Sequence, residues 1–274
     1  MKLLGLGDNT ADQYLSHKRM YPGGNAVNVA VFAKRLGADA SYLGALGDDK
    51  RGELIESALT AEGVEHSRIQ RVAAPTAWTR VAHEHGDRRF VASNPGARQF
   101  LRLGDDDYAY IAAHDLVHSS IYSFMDEALP AVRASAPVLS WDFYNRWSET
   151  YLAAMVPLVD WAFISVPDAH DDAVNDLLDR CRAWGAKNVI VTRGSAPAWL
   201  DLGGERWPQP SQPIVPVDTI GAGDAFIATL LVLTHDGRTG PRAAGLEAAR
   251  NAATACLHEG SFGHGVDWNP FIEP

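Results

Sequence analysis

The chain has 274 residues, with 24 Lys and Arg against 34 Asp and Glu, which gives a net charge of −10. Such an acidic surface argues against general nucleic-acid binding, because that function needs clustered cations to displace counterions. No apolar run reaches the roughly 18 residues of a membrane span or forms a secretory leader, so we expect no membrane partner and a cytoplasmic location.

Strand-like and helix-like segments alternate along most of the chain. Apolar runs predict strands at 2–6, 41–45, 116–118, 138–141, 161–164 and 188–191. Periodic segments predict helices at 26–36, 49–62, 170–184, 222–235 and 241–258. This alternation predicts an α/β fold with a central, mostly parallel sheet that helices cover on both faces.

Two segments interrupt the alternation. Residues 11–22 carry no clear helix, and residues 68–92 alternate in the way of antiparallel strands with one wet face. We interpret about 11–22 and 68–100 as a small β lid on a single domain that spans residues 1–274.

The most informative motif, DTIGAGDAFIATLL at 218–231, runs from a glycine-containing loop into a helix. The backbone amides of Gly221, Ala222 and Gly223 would lie at the helix N-terminus, where unpaired N–H groups and the helix dipole bind anions. Asp224 follows in the first turn, where the dipole should stabilise its carboxylate and leave it able to accept a proton. An anion hole beside a base suits phosphoryl transfer to a hydroxyl, and a glycine-rich helix start with a dipole-compatible aspartate is the simpler alternative.

A second motif, PGGNAVNVA, occupies residues 22–30. Gly23 and Gly24 permit close backbone approach, and Asn25 and Asn28 lie almost one helical turn apart, so both amides can face the same side. Two such amides can hydrogen-bond sugar hydroxyls. A capped helix after a turn is the alternative interpretation.

Polar side chains also follow the first strand, in GLGDNTAD at 5–12. Ligands bind at the carboxyl ends of parallel strands, and a carboxylate such as Asp8 can accept hydrogen bonds from two hydroxyls there. Asn9 and Asp12 are candidates for second contacts. A dinucleotide-binding fingerprint is disfavoured, because Thr10 stands where the third glycine is required.

These motifs resemble the two signatures of the PfkB carbohydrate kinase family, also called the ribokinase family. DTIGAGDAFIATLL matches the C-terminal signature at nearly every position, with Thr229 where the family usually has Ala or Gly, and GGNAVN at 23–28 has the form of the N-terminal one. The resemblance implies a ribokinase-like fold and in-line transfer from Mg·ATP to a sugar-type acceptor. It implies that Asp224 is the base beside the amides of residues 221–223, and that Asp8, Asn25 and Asn28 position the acceptor.

The resemblance also implies a nucleotide side. Thr192, Arg193 and Gly194 match the start of a TxGxxG-like segment that lines the nucleotide in the family, although Pro197 replaces the last glycine. Arg193 would pair with phosphate or would be a solvated surface charge. The last helices would form the adenine pocket with Asn251, Ala252 and Ala255.

Two cation sites follow from the same resemblance. The family's Asn-x-x-Glu element is replaced here by SVPD at 165–168, in which Asp168 would organise a water of the magnesium ion. Asp218 and Thr219 would ligate a monovalent cation such as potassium, as in some relatives, or would cap the turn.

Within the family, the chain is most similar to bacterial fructoselysine 6-kinases. This similarity rests on GDNTAD (7–12), DYAYIAAHDLVHSSI (107–121), WDF (141–143) and HEG (258–260), beside the two signatures. It implies phosphorylation of the primary hydroxyl of an amine-linked ketose. Lid side chains that would contact the substrate's carboxylate or hydroxyls, or would be solvated strand charges, are Arg80, Arg89, Asn94 and Arg98.

Two other functions stay open. The chain could phosphorylate a plain sugar, such as fructose or ribose, or a nucleoside. It could also be a non-catalytic sugar- or nucleotide-binding protein, an alternative that the departures at 165–168 and at Pro197 support. In this family the lid edges often pair, so a homodimer through the lid is a further expectation.

Overall fold

The computed structural model describes residues 1–84, 87–235 and 237–269, without the side chains of 83–89. In chain order its strands are β1 (Lys2–Gly7), β2 (Thr10–Tyr14), β3 (Arg19–Gly23), β4 (Asp39–Leu46), β5 (Gln70–Arg71), β6 (Trp78–Glu84), β7 (Asp87–Asn94), β8 (Leu116–Ser120), β9 (Leu139–Asp142), β10 (Trp161–Ser165), β11 (Asn188–Arg193), β12 (Ala196–Leu202), β13 (Glu205–Gln209) and β14 (Val266–Asp267). Its α-helices are α1 (Asn25–Arg35), α2 (Lys50–Glu62), α3 (Asp105–Ala112), α4 (Leu129–Ser135), α5 (Glu149–Met155), α6 (Asp171–Ala183), α7 (Ala222–His235) and α8 (Pro241–Ala255). Within these ranges, no helix has both the length and the apolar character that a membrane crossing needs.

Nine strands form the central sheet, in the order β13-β12-β11-β10-β9-β8-β1-β4-β5. Neighbours from β11 to β5 run parallel, and β12 and β13 continue the sheet antiparallel at one edge. Helices cover both faces of the interior strands, and Leu3, Leu4 and Leu6 of β1, which point to both faces, are fully buried. The prediction of a mostly parallel central sheet is confirmed.

The helices form two layers. α3, α4, α5 and α6 pack over the face that carries Leu4 and Leu6 of β1. α1, α7 and α8 pack over the opposite face, which carries Leu3, and α2 packs beside α1. Four of the predicted helices are found within one residue at each end, and the last one, predicted to residue 258, ends at Ala255.

A smaller second sheet contains five strands in the order β14-β3-β2-β6-β7. β2 pairs antiparallel with β3 and parallel with β6, and β6 and β7 form a hairpin. Most of the two segments expected to form the lid, about 11–22 and 68–100, therefore meets in one sheet.

Two short strands correct the limits of that expectation. Gln70–Arg71 belongs to the central sheet, because β5 pairs with the end of β4 and the Arg71 side chain donates to the Gly47 carbonyl at 2.8 Å. Val266–Asp267, near the other end of the chain, adds a strand to β3. Each strand has two residues, which is too few to leave an alternating pattern in the sequence.

The carboxyl ends of β1, β8 and β9 meet at one edge of the central sheet. Parallel pairing places Ser120, at the end of β8, opposite Asp142 at the end of β9. α1 begins at the same edge, since the backbone amide of Asn25 donates to the carboxylate of Asp8 at 2.7 Å, one residue beyond β1. Side chains from distant parts of the sequence can therefore meet here.

Candidate active site

Asp224 lies in the first turn of α7, directly after the predicted anion loop. Gly221 has a φ of +83°, and a Cβ at this position would lie 2.5 Å from the Cβ of Ser261, so only glycine fits. The helical hydrogen bonds start when the amide of Ala225 donates to the Gly221 carbonyl at 2.8 Å. The amides of Gly223 and Asp224 therefore lie in the turn whose N–H groups lack intrahelical acceptors, as an anion site requires.

Asn25 and Asn28 hold the Asp224 carboxylate from the first turn of α1. Asn25 Nδ2 donates to Asp224 Oδ1 at 2.7 Å, and Asn28 Nδ2 donates to Asp224 Oδ2 at 2.6 Å. The helix can begin this close to β1 because Gly24 has a φ of +106°, and a Cβ there would lie 2.3 Å from the Cα of Asn9. The two amides share a face, as their spacing predicts.

Asp8 is the second carboxylate of the site and lies just beyond β1. Its Oδ2 accepts the Asn25 amide, and its own backbone amide donates to Ser123 Oγ at 3.1 Å. Arg98 forms an ion pair with its Oδ1 at 2.5 Å. Arg98 comes from the 3-10 segment Gly96–Phe100, so the segment that directly follows the small sheet contributes to this site.

Asp142 is a third carboxylate, which no motif in the sequence assigned to the site. It ends β9, where its Oδ2 accepts Asn25 Nδ2 at 3.0 Å and its Oδ1 accepts the backbone amide of Tyr144 at 2.8 Å. One amide nitrogen of Asn25 thus donates to both Asp142 and Asp224. The WDF stretch supports the similarity to the subfamily, but nothing in it distinguishes Asp142 from a structural aspartate.

Burial and repulsion from neighbouring carboxylates raise the pKa values of two of these acids, Asp224 and Asp142. Burial raises the pKa of Asp224 to about 6 with help from the Asp8 charge, although the amides of Asn28 and Asn25 lower it. Burial likewise raises the pKa of Asp142 to about 7, with contributions from Asp224 and Asp8. The effect of burial therefore exceeds that of the two amide donors, and the net shift favours the protonated form of Asp224. A pKa near the working pH is, however, well suited to a group that receives a proton.

A second layer of side chains orients the two asparagines. His118 Nε2 is 2.8 Å from Asn25 Oδ1, and His118 Nδ1 is 2.9 Å from Ser140 Oγ. Ser261 Oγ donates to Asn28 Oδ1 at 2.8 Å. No sequence expectation covered these residues, although His118 belongs to the DYAYIAAHDLVHSSI stretch and Ser261 follows the HEG stretch.

Comparison with known proteins puts this geometry in a family. The family model described as pfkB family carbohydrate kinase matches residues 5–264. The chain belongs to this family. Fructosamine kinase FrlD of Bacillus subtilis is 38% identical over 98% of this chain and 95% of its own length. Fructoselysine 6-kinase of Escherichia coli is 34% identical over 94% of this chain and 99% of its own length.

Solved structures agree with the fold. Arabidopsis thaliana ribokinase, complexed with ribose and ATP, superposes with a TM-score of 0.83 at 22% identity and covers 97% of this chain and 95% of its own. Xylella fastidiosa fructokinase with bound ATP gives 0.76 at 21% identity and covers 96% and 94%. The expected ribokinase-like fold is confirmed, and the chain is an ATP-dependent sugar kinase.

Three other predicted acceptor contacts of this PfkB kinase are buried. Asn9 is fully buried, and its Nδ2 donates to the Tyr42 hydroxyl and to the Ala45 carbonyl, each at 2.9 Å. The structure therefore corrects the expectation for Asn9, which holds β1 against β4. Asp12 is buried within β2, and Gly23 ends β3 beside it.

Of the four predicted lid contacts, the structure brings Arg98 to the site. Arg80 stacks on the ring of Trp78, with its guanidinium 4.6 Å from the ring centroid. Asn94 Oδ1 accepts the amide of Gly96 at 2.9 Å and so supports the turn before Arg98. The Arg89 side chain lies outside the described residues.

Arg193 fits neither alternative that the sequence left open. It is buried, and its guanidinium donates to the carbonyls of Pro197 at 3.0 Å and Ala169 at 3.1 Å. It also forms an ion pair with Asp171 at 2.8 Å. Thus Arg193 is neither a free phosphate ligand nor a solvated charge, because it ties the β11–β12 turn to the start of α6. The same turn holds the half-buried Thr192, at the end of β11, and the exposed Gly194.

The predicted adenine residues lie along α8, and Asn251 is bonded to α7. Asn251 Nδ2 donates to Thr229 Oγ1 at 3.1 Å, and Thr229 Oγ1 donates to the Ala225 carbonyl at 2.7 Å. Ala252 packs on the apolar core between the last helices, and Ala255 is buried. The unusual Thr229 of the signature is therefore accommodated by an extra link between α7 and α8.

The two predicted cation sites differ. Asp168 is exposed in the loop after β10. Asp218 is buried, with Oδ1 accepting the Ile220 amide at 3.0 Å, and Oδ2 accepting both the Gly260 amide at 3.0 Å and the Tyr14 hydroxyl. These contacts agree with the turn-capping alternative for Asp218, next to the exposed Thr219. In the described part of the chain, no group of three or more His, Cys, Asp and Glu is placed to hold a metal ion.

Proposed function

We propose that this kinase phosphorylates the primary hydroxyl of fructoselysine or a related fructosamine, with Mg·ATP as donor. The observation that carries the proposed chemistry is Asp224, held by Asn25 and Asn28 in the first turn of α7. The two relatives whose names include fructosamine or fructoselysine support the acceptor, because their similarity extends over more than nine-tenths of this chain.

In this mechanism Asp224 accepts the proton of the acceptor hydroxyl as the phosphorus–oxygen bond forms. Its pKa of about 6 lets it be ionised at neutral pH and still bind a proton in the transition state. The amides of the Gly221–Gly223 loop stabilise the charge on the transferred group, with Gly223 as the free donor, since the Ala222 amide also donates to the Thr219 carbonyl at 3.4 Å. Since Asn25 and Asn28 hold the base, Asp8 and its partner Arg98 are the groups that position the acceptor, and much of the rate comes from this positioning.

Magnesium fits this chain as part of the nucleotide complex, because Mg²⁺ keeps several waters and binds mainly through substrate phosphates. The ion neutralises charge on the transferred phosphoryl group when it is bound. The exposed carboxylate of Asp168 would contact a water of that ion. That Asp218 and Thr219 bind a potassium ion stays a prediction. The Asp218 carboxylate would have to contact the ion while it still accepts the amides of Ile220 and Gly260.

The test is ADP release from Mg·ATP in the presence of fructoselysine, related fructosamines, fructose, ribose and adenosine. We expect turnover concentrated on the amine-linked ketoses. Asp224→Asn should lower kcat by at least about a hundredfold, because it removes the general base. Near wild-type turnover in this variant would contradict the mechanism.

The same assay separates the alternatives. Turnover on fructose, ribose or adenosine alone would leave the kinase chemistry in place and overturn the acceptor. ATP binding without turnover on any acceptor would favour a binding protein, although the intact Asp224 and its two amide donors argue against this outcome.

We also propose a homodimer through the small sheet. β7 is one of the two edge strands of this sheet, and the side chains of Phe90 and Val91 on it are exposed. An edge strand with exposed apolar side chains suits edge-to-edge pairing between two copies. In analytical ultracentrifugation the wild type should sediment as a dimer, and Val91→Lys should dissociate at a higher protein concentration. A wild type that sediments as a monomer would contradict the proposal.

A further inference from the structure

Asn25 lies between two carboxylates and one imidazole. Its Nδ2 donates to Asp224 Oδ1 at 2.7 Å and to Asp142 Oδ2 at 3.0 Å. Its Oδ1 is 2.8 Å from His118 Nε2. All three polar contacts of the Asn25 side-chain amide are therefore to groups that can be protonated. The orientation of the amide decides which of these groups accept a hydrogen bond from it and which must donate one.

The chemistry of these partners permits one orientation. The Asp224 carboxylate is ionised at neutral pH and is then an acceptor only, so the amide nitrogen must face Asp224 and, with it, the neighbouring Asp142. The amide oxygen then faces His118, so His118 Nε2 must carry a hydrogen. His118 Nδ1 is consequently without a proton and accepts from the Ser140 hydroxyl, 2.9 Å away. The arrangement is a directed chain from Ser140 through His118 and Asn25 to the two acids.

We infer that Ser140 and His118 are positioning residues, which act through Asn25 to fix the hydrogen-bond donor of the base Asp224. The inference rests on the proposed function of Asp224. His118 does not touch the reacting atoms. It holds the Asn25 amide against a flip, which would turn the amide oxygen toward two carboxylates.

His118 suits this task because it is a neutral donor. Its side chain is fully buried, and burial lowers its pKa to about 3, so it stays uncharged at physiological pH. The ring packs edge-on against Phe163, with the centroids 6.5 Å apart and an interplanar angle of 77°. The ring therefore keeps both its plane and its tautomer while the acids beside Asn25 change protonation.

The charged groups around Asp224 explain why this donor matters. Asp8 faces it from the end of β1, Asp142 faces it from the end of β9 through the shared Asn25 amide, and Arg98 lies on Asp8. Asn25 and Asn28, both on α1, donate to the carboxylate itself. A misplaced Asn25 would leave Asp224 with one of its two amide donors, and its carboxylate would bind a proton more tightly.

A direct test measures the titration of Asp224 in the protein without substrates. Aspartate labelled with ¹³C at the carboxyl carbon would be assigned with Asp224→Asn and titrated by NMR. We expect His118→Phe and Ser140→Ala to move the midpoint of Asp224 upward, by about one pH unit for a lost hydrogen bond to a charged group. Ser140→Ala keeps the imidazole ring, so it decides the question if His118→Phe does not fold.

The chain offers a matched control. His114 is a second buried histidine bonded to a serine, with Nε2 3.1 Å from Ser41 Oγ and Nδ1 2.8 Å from the Tyr110 carbonyl. His114→Phe and Ser41→Ala remove a similar pair that has no bond to Asn25. These variants should leave the Asp224 titration unchanged. The inference is overturned if His118→Phe and Ser140→Ala titrate like the controls.

Kinetics on the acceptor give a second readout. His118→Phe should lower kcat about tenfold, with little change in KM for ATP, and should move the acidic limb of the kcat profile to higher pH. His118→Gln, which can place an N–H near the position of Nε2, should restore part of the loss. Equal losses in His118→Phe, His118→Gln and the controls would indicate a merely structural role and overturn the inference. A wild type inactive on every acceptor would count against the proposed function, while the NMR titration would still decide the positioning role.

Discussion

The predicted acceptor side and the predicted nucleotide side of this kinase differ in what their polar side chains contact. On the acceptor side, Asp224, Asn25 and Asn28 come from distant parts of the chain and bond to one another. On the nucleotide side, Arg193 and Asn251 make local structural contacts. Arg193 bonds within the β11–β12 turn, and Asn251 links α8 to α7. A long motif in which Gly221 has no room for a side chain therefore predicted a group of side chains that do meet, whereas single matches in a degenerate segment fell on residues with local structural contacts.

The largest effect expected from this contrast involves two glycines with positive φ. Gly221→Ala places a Cβ 2.5 Å from Ser261 Cβ, and Gly194→Ala meets nothing within 4 Å. We expect Gly221→Ala to lower kcat about a hundredfold by displacing the loop amides. Gly194→Ala should cost about 1 kcal/mol of unfolding free energy for the left-handed backbone, with kcat nearly unchanged. Parallel assays and denaturant titrations of both variants would show whether the difference exists.

The next effect is the pH dependence of turnover. The pKa of Asp224 is raised to about 6, and the ionised form is the active base, so activity is complete above this pH and is lost as the pH falls through it. We therefore expect kcat at pH 5 to be roughly a tenth of kcat at pH 7. A flat profile from pH 7 to pH 5, with Mg·ATP saturating throughout, would be incompatible with Asp224 as the base.

A smaller effect separates structure from nucleotide binding at Arg193. Because its guanidinium bonds to Pro197, Ala169 and Asp171, Arg193→Met should lower the free energy of unfolding by about 2 kcal/mol. KM for ATP should change less than threefold, by about half a kcal/mol. A large rise in KM for ATP with unchanged stability would instead indicate that Arg193 contacts the phosphates of ATP.

The smallest effect concerns Thr229, the departure in the C-terminal signature. Thr229→Ala restores the family residue and removes the hydroxyl that links α7 to Asn251. We expect a stability change of about 1 kcal/mol or less and little change in kcat. A kcat loss beyond about threefold would instead mean that the α7–α8 link positions Asp224.

The predictable part of the site was the part with local spacing. Asn25 and Asn28 share a face because three residues make nearly one helical turn, and Asp224 is placed by the glycines before it. Asp142 and His118 were not found, because they enter through the side-by-side order of β1, β8 and β9, which single segments do not encode. Asn9 was misjudged because a neighbour of Asp8 in the sequence points to the interior instead.

The fold shows the same division. Helices with clear periodicity were placed within a residue or so, and the buried strands followed from continuous apolar runs. The limits of the small sheet could not be predicted from the sequence. β5 and β14 have two residues each, and they are strands only because they pair with strands far away in the chain.

One hydrogen bond joins the small sheet to the loop before α7. Tyr14, at the end of β2, donates its hydroxyl to Asp218, whose other oxygen accepts the amide of Ile220. β2 and residues 218–220 are therefore directly connected, three residues before Gly221. An acceptor that displaced the small sheet would strain this bond before any other contact of the loop that leads into α7.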